Sequence, residues 1–294
     1  MSHRIADFAE RYRFDGRKKF RLKDHNPGDT DALDSKENAN DRLTEGVTAL
    51  CELQERLFAQ SEWSVLLIFQ AMDAAGKDAT IKHVLSGVNP QGCSVSSFKA
   101  PSKEELAHDF LWRGSGALPE RGRIGIFNRS YYEEVLIVRV HPEYLDNQKL
   151  PRKLVTKKIW KERFQSINDF ERHLSRNGTL ILKFFLHVSV EEQRKRLLER
   201  LDEKEKHFKF EPNDLKERKL WDRYMDAYQG MVRQTATKYA PWYVVPADHK
   251  WFTRLVVSSI IIDRIRTLRL HYPPLTAEDK KAAAAARLEL SPGS

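Results

Sequence analysis

The chain has 294 residues, 40% apolar and 32% charged, with 6 Trp, 9 Tyr and 15 Phe, which suits one large α/β domain with appendages and excludes wholesale disorder. Lys and Arg number 51 against 42 Asp and Glu, a formal net charge of +9. That excess suggests an anionic partner without choosing among nucleic acid, lipid and a polyanionic small substrate.

No apolar run approaches the roughly 18 residues of a spanning helix, and the start MSHRIADFAERYRF lacks the apolar stretch of a secretion signal. The expectation is a cytoplasmic protein with no membrane partner. Cys51 and Cys93 lie far apart with no metal-ligand spacing, so both are expected as buried thiols.

In chain order, residues 1–39 are rich in charge, hold Asn26-Pro27-Gly28-Asp29, and read as an N-terminal arm lying on the surface. A helix is expected from Asn40 to Gln60, with Leu43, Val47, Leu50, Leu53 and Leu57 along one face. Ser64 to Gln70, SVLLIFQ, reads as a buried strand, followed by a small-residue turn and a helix from Lys77. Strand-length apolar runs recur at Cys93 to Phe98, Arg123 to Phe127, Thr179 to Val188 and Trp242 to Val245. Amphipathic segments lie at Pro151 to Arg176, Val190 to Lys206, Asn213 to Tyr239 and Trp251 to Leu270. The alternation predicts an α/β fold, parallel strands with helices on both faces. The division is therefore an arm at 1–39, one domain at 40–272, and a tail at 273–294 that opens on Pro273-Pro274 and carries no chemistry.

The most informative segment is Ala71-Met72-Asp73-Ala74-Ala75-Gly76-Lys77-Asp78-Ala79-Thr80. A phosphate loop needs inward backbone N–H groups, a helix N-terminus and a lysine for the outer phosphates, in the order strand, turn, helix. This segment meets those needs but departs twice from the usual pattern: Ala71 replaces the first Gly, and Asp78 replaces the metal-binding hydroxyl. Asp73 is accordingly the first choice of metal ligand, a hard oxygen inside the loop. Thr80 offers either a late hydroxyl or a helix cap. Lys82 and His83, one turn further, either extend an anion channel or sit on the helix surface.

A second strand end, Ile126-Phe127-Asn128-Arg129-Ser130-Tyr131-Tyr132-Glu133, supplies Asn128 where an Asp ordinarily meets the metal. Arg129 follows as a cation for phosphate, with Glu133 a compensating carboxylate. Read alone, Asn-Arg-Ser is an ordinary helix cap. The basic run around Arg194 to Lys209 reads as a lid over equatorial oxygens, with Arg196 and Arg200 ahead of Lys206 and Lys209. The interleaved Glu192, Glu199 and Glu203 leave open a solvated helix for part of it.

Five segments in order, AMDAAGKDATIKHVLSGVNPQG, SFKAPS, FNRSYYEEVL, HFKFEPNDLKERKLWDRYMDAY and APWYVVPADHKWF, together resemble the second family of polyphosphate kinases, from about Phe20 to about Tyr272. The resemblance implies a thymidylate kinase-like P-loop fold: a three-layer sandwich with a central five-stranded parallel sheet and a helical lid at about 190–212. It implies phosphorylation of adenine or guanine nucleotides from inorganic polyphosphate with Mg²⁺, or Mn²⁺ in its place, by a homodimer or homotetramer. By the same resemblance Asp73 and Lys77 belong to the first motif, Asn128 and Arg129 to the second, and Arg196 and Arg200 to the lid. Residues 74–80 with Lys82 and His83 line the phosphates, and Asp73 and Asn128 hold the metal. Asn128 with Glu133 looks like the subgroup accepting both nucleoside mono- and diphosphates. Competing readings are an ATP-dependent nucleotide or nucleoside kinase of the same fold, a nucleic-acid-binding P-loop module, and a binder without catalysis. No recognition helix or stacking-aromatic motif favours nucleic acid.

Overall fold

The computed structural model describes residues 8–31, 33 and 36–291. Its strands are β1 (Arg13–Phe14), β2 (Ser64–Gln70), β3 (Cys93–Ser97), β4 (Ile124–Asn128), β5 (Thr179–His187) and β6 (Trp242–Pro246). Eight helices matter to the argument: α1 (Lys36–Gln60), α2 (Lys77–Val84), α3 (Ile159–Arg176), α4 (Val190–Asp202), α5 (Pro212–Arg218), α6 (Trp221–Thr235), α7 (Lys250–Arg266) and α8 (Ala277–Leu290).

The sheet runs β1-β6-β5-β2-β4-β3. The pairs β2 with β4, β2 with β5, β3 with β4 and β5 with β6 are all parallel, giving the five parallel strands expected. β2 is central, and every one of its residues is buried, which explains its unbroken apolar sequence. Covering helices pack α1, α2 and α7 together, while α3 meets β5 and α6. Gly46 lets α1 approach α7: a Cβ there would come within 2.9 Å of Ser258 Oγ.

The N-terminal arm departs from the expectation of a surface segment. Phe8, Ala9, Tyr12, Phe20 and Leu22 are buried, and β1 pairs antiparallel with β6, Arg13 opposite Tyr243 and Phe14 opposite Trp242. The rings of Phe8 and Tyr12 meet Phe252 at 5.8 and 6.3 Å between centroids. Aromatic residues spaced among charges provide enough apolar area to bind the arm to the core.

Other boundaries shift. Helix α3 begins at Ile159 rather than Pro151, α4 ends at Asp202, and the segment from Asn213 to Tyr239 divides into α5 and α6. The two cysteines are free and half-buried rather than buried. Cys51 turns its Sγ to donate to the Gly87 carbonyl at 2.8 Å, and Cys93 lies on β3, the edge strand of the sheet among the described residues. Helix α8 is exposed along its length. Among the described residues, no helix is long and apolar enough to cross a membrane.

Candidate active site

In this strand order β2 is the switch point, with β4 added on one side and β5 on the other, so the loops leaving their C-terminal ends open a crevice there. The loop from Ala71 to Gly76 turns sharply into α2. Gly76, the residue capping α2, has φ +99°, and Ala74 has φ +63°. The first is a conformation that glycine adopts without strain. Thr80 N–H donates to the Gly76 carbonyl at 2.9 Å, and its side chain is buried. Ala75 is buried, while Ala74 and Ala79 are half-buried.

Lys77 is buried, its ammonium donating to the Ala71 carbonyl at 2.8 Å and to that of Met72 at 3.4 Å. Burial pushes its pKa below the ordinary lysine range, against the pull of the Asp73, Glu133 and Asp78 carboxylates. Asp73 accepts from the Arg129 guanidinium at 2.8 Å. Arg129 sits just past β4 at φ +62°, its backbone N–H held by the Phe69 carbonyl at 3.0 Å. The Glu133 charge is the largest cause that holds Arg129 above its ordinary value. Glu133 itself is raised, because burial and Asp73 outweigh Arg129 and Lys77. Oriented to satisfy both neighbours, the Gln70 amide donates to Glu133 Oε1 at 2.8 Å and accepts from Ser130 N and Oγ at 3.1 Å each. Lys77, Asp73, Arg129 and Glu133 thus form one electrostatic unit.

The two departures from the usual loop meet each other: Asn128 donates its side-chain nitrogen to Asp78 at 2.5 Å. The carboxylate ordinarily found at the strand end stands instead at the start of α2. Lys82 and His83 are exposed on α2. The His83 imidazole is held below its usual range by burial and by the Arg254 and Lys82 charges. Among the described residues, no cluster of three or more His, Cys, Asp or Glu is arranged to hold a metal.

Of the four basic residues read as a lid, Arg196 is turned onto backbone. It is 4% exposed and grips backbone: Nη1 donates to Ala74 and Ala75 carbonyls at 3.2 and 2.8 Å, and Nη2 to Ala247 and Asp248 carbonyls at 2.7 and 2.9 Å. Its Nε meets Glu192 at 2.8 Å. Arg196 thus ties the loop of Ala74 and Ala75 to the segment of Ala247 and Asp248. Arg200 binds Asp214 at 2.7 Å and the Lys209 carbonyl at 3.0 Å. Lys206 reaches Glu203 and Glu199 at 2.7 and 3.4 Å. Lys209 is exposed, its ammonium 5.4 Å from the centre of the Phe208 ring.

Three residues near the site are not assigned to it by sequence. Asp214 is buried enough that its carboxyl rises to about 6, with the Asp73 charge adding to the effect. Gln193 donates to the Asp73 carbonyl at 3.1 Å. Tyr228 stacks on Phe185 at 4.4 Å and feels the charges of Glu133, Asp73 and Arg129. Asp214 lies within the HFKFEPND stretch that carried part of the resemblance, and the other two occupy helical positions that read as packing.

The family described as Polyphosphate kinase 2 (PPK2) matches residues 33–271. An ADP-polyphosphate phosphotransferase of Rhodopseudomonas palustris is 54% identical over 258 residues, covering 87% of this chain and 89% of that one. An AMP/ADP-polyphosphate phosphotransferase of Meiothermus ruber is 46% identical over 273 residues, covering 92% and 98%. The crystal structure of polyphosphate kinase 2 from Arthrobacter aurescens superposes with a TM-score of 0.86 at 39% identity, covering 95% of this chain and 96% of that one. The family match over residues 33–271 and the likeness along nearly the whole chain identify the protein as a member of the polyphosphate kinase 2 family.

Proposed function

We propose that the protein transfers the terminal phosphoryl group of inorganic polyphosphate in line to AMP and to ADP, without a covalent enzyme intermediate. The observation that carries the reading is the convergence of Lys77, Asp73, Arg129 and Glu133 on one loop mouth. An acceptor that is already a phosphate anion needs no strong base, so positioning and charge neutralisation supply the catalysis. Lys77 takes the outer phosphates, exchanging the Ala71 and Met72 carbonyls for phosphate oxygens, and Arg129 bridges donor and acceptor. The exposed Lys82 and His83 continue the path along which a polyanion of about one charge per phosphate runs, in keeping with the +9 net charge.

The donor set suits Mg²⁺, which usually keeps several waters and takes one or two carboxylates plus substrate phosphates. Asp73 and Asn128 would hold it, Asn128 through the amide oxygen left once its nitrogen binds Asp78, with Mn²⁺ a substitute. Bound there, the ion neutralises charge on the transferring group. We place the protein in the cytoplasm, as a homodimer or homotetramer with no nucleic-acid or membrane partner, and with guanine nucleotides as further acceptors.

The dual acceptor reading draws on Asn128 and Glu133 and on the name of the Meiothermus ruber relative. A second reading, ADP alone, is favoured by the 54% identical relative named for ADP. Purified protein with Mg²⁺ and long-chain polyphosphate, offered AMP and ADP separately and read by chromatography, separates them. Product from both supports the first; product from ADP alone supports the second. Failure with both, while ATP supports transfer, makes the protein an ATP-dependent kinase.

A further inference from the structure

A fully buried ion pair lies outside the crevice. Lys183 on β5 and Glu171 on α3 are both 0% exposed, with Nζ and Oε2 2.6 Å apart. The ammonium spends its other donors on the Tyr132 hydroxyl at 2.9 Å and the Thr235 carbonyl at 2.8 Å. Glu171 Oε1 accepts from the hydroxyls of Tyr131 and Tyr132 at 2.9 and 2.7 Å. Every polar atom of the pair is satisfied. Burial and the Glu171 charge hold both phenols well above the ordinary range, so they stay protonated donors.

Stability does not explain this arrangement, because a buried ion pair seldom outperforms well-packed apolar residues of equal volume. Its reach does. Four of the five segments it joins are regular elements already held by their own ladders: β5, α3, the end of α6, and β6 through Trp242, whose indole N–H binds Thr235 Oγ1 at 2.9 Å. The fifth is the short 3₁₀ helix Tyr131–Val135, preceded by Arg129 in left-handed backbone geometry. Such a turn has few bonds of its own. In a 3₁₀ turn successive side chains diverge by about 120°. With Tyr131 and Tyr132 drawn into the core, Glu133 is sent to the crevice, where Gln70 meets it.

We propose that the Lys183–Glu171 pair, acting through the hydroxyls of Tyr131 and Tyr132, is the positioning device that fixes Arg129 and Glu133 for phosphoryl transfer. The proposal rests on the function inferred above for its kinetic consequence and on the geometry alone for its mechanical one.

The test compares Tyr131→Phe/Tyr132→Phe, which keeps both rings, with Glu171→Leu/Lys183→Met, which keeps the volume but no charge. Each is expected to fold, to lose about tenfold or more in kcat, and to hold its KM for polyphosphate within about twofold, since Lys77 and its loop are untouched. Combined with Glu133→Gln, the tyrosine pair should cost little beyond the larger single loss, because both act through one turn. Amide hydrogen exchange supplies a readout that does not depend on the reaction. Residues 129–135 should lose protection in both variants while residues 71–80 keep theirs. Unchanged protection of the turn overturns the proposal whatever the donor proves to be. Unchanged kcat in a stably folded variant, or losses that add fully to that of Glu133→Gln, overturns its catalytic part. Wild-type protein inactive with polyphosphate would instead count against the function proposed, leaving the exchange result to decide the positioning.

Discussion

Asn128 and Asp78 share a 2.5 Å hydrogen bond from amide nitrogen to carboxylate, and between them they have exchanged the chemistry that a phosphate loop ordinarily assigns to these two positions. One negative charge serves where a second carboxylate at the strand end would bring repulsion.

Restoring that carboxylate therefore has a defined outcome. In Asn128→Asp two carboxylates face each other at hydrogen-bond distance, so without metal the fold should lose about 1 kcal/mol or more. Mg²⁺ should restore it. Thermal melting with and without Mg²⁺ reads the effect: the metal-dependent rise in Tm should be larger in the variant than in the wild type, and equal rises would refute the assignment of Asn128 to the metal shell.

Lys77 is buried against loop carbonyls, and its charge has no substitute in the loop. Lys77→Ala should lower kcat about 10²- to 10³-fold, the scale for removing a preorganised charge-stabilising group. The melting temperature should stay near that of wild type, because the two carbonyl bonds lost are offset by relief from burying the ammonium. Near-normal turnover would mean that this loop does not bind the transferring phosphate.

Arg196 differs in kind. Its fork satisfies four backbone carbonyls at once, which a lysine cannot reproduce. Arg196→Lys should lose about 2 kcal/mol or more in urea unfolding, and activity should fall along with loop order. A variant of wild-type stability with reduced affinity for polyphosphate alone would return Arg196 to the role of a lid cation.

His187, at the C-terminal end of β5, is held at about 4 by burial, with His25 adding to the effect. The sign follows from the unfolded value of about 6.5. A histidine depressed in the fold contributes stability that is complete above 6.5 and is lost as pH falls towards 4. The loss should reach about 3 kcal/mol at the acid end. In His187→Gln the unfolding free energy should be flatter across this window than in wild type. Parallel pH profiles for the two proteins would contradict the burial of a neutral imidazole.

Much of the architecture could be read from the sequence because parallel strands buried on both faces leave unbroken apolar runs: β2 was located to the residue, and β3 to β6 within about one or two. The placement of Asp73 and Lys77 in the loop and of Asn128 and Arg129 at the strand end was legible for a related reason, since these positions lie next to those strands. What escaped depends on distance in the chain. The inward pull of Phe8, Tyr12 and Phe20 becomes visible only when β6 and α7 arrive beside them. Arg196 read as a lid cation because sequence gives its charge and not the carbonyls it faces. Asp214 and Gln193 approach the loop from helices on which sequence drew attention to the basic residues and not to these two.

The pairing of β1 with β6 joins the first strand to the last. During synthesis the arm emerges long before its partner exists, so Phe8 and Tyr12 must wait, exposed, until nearly the whole domain has left the ribosome. The closing of that sheet edge is then a late, high-contact-order step. It also places the two ends of the domain together, so that loss of β1 uncovers the outer flank of β6, while loss of β6 uncovers β5 and leaves β1 without its partner.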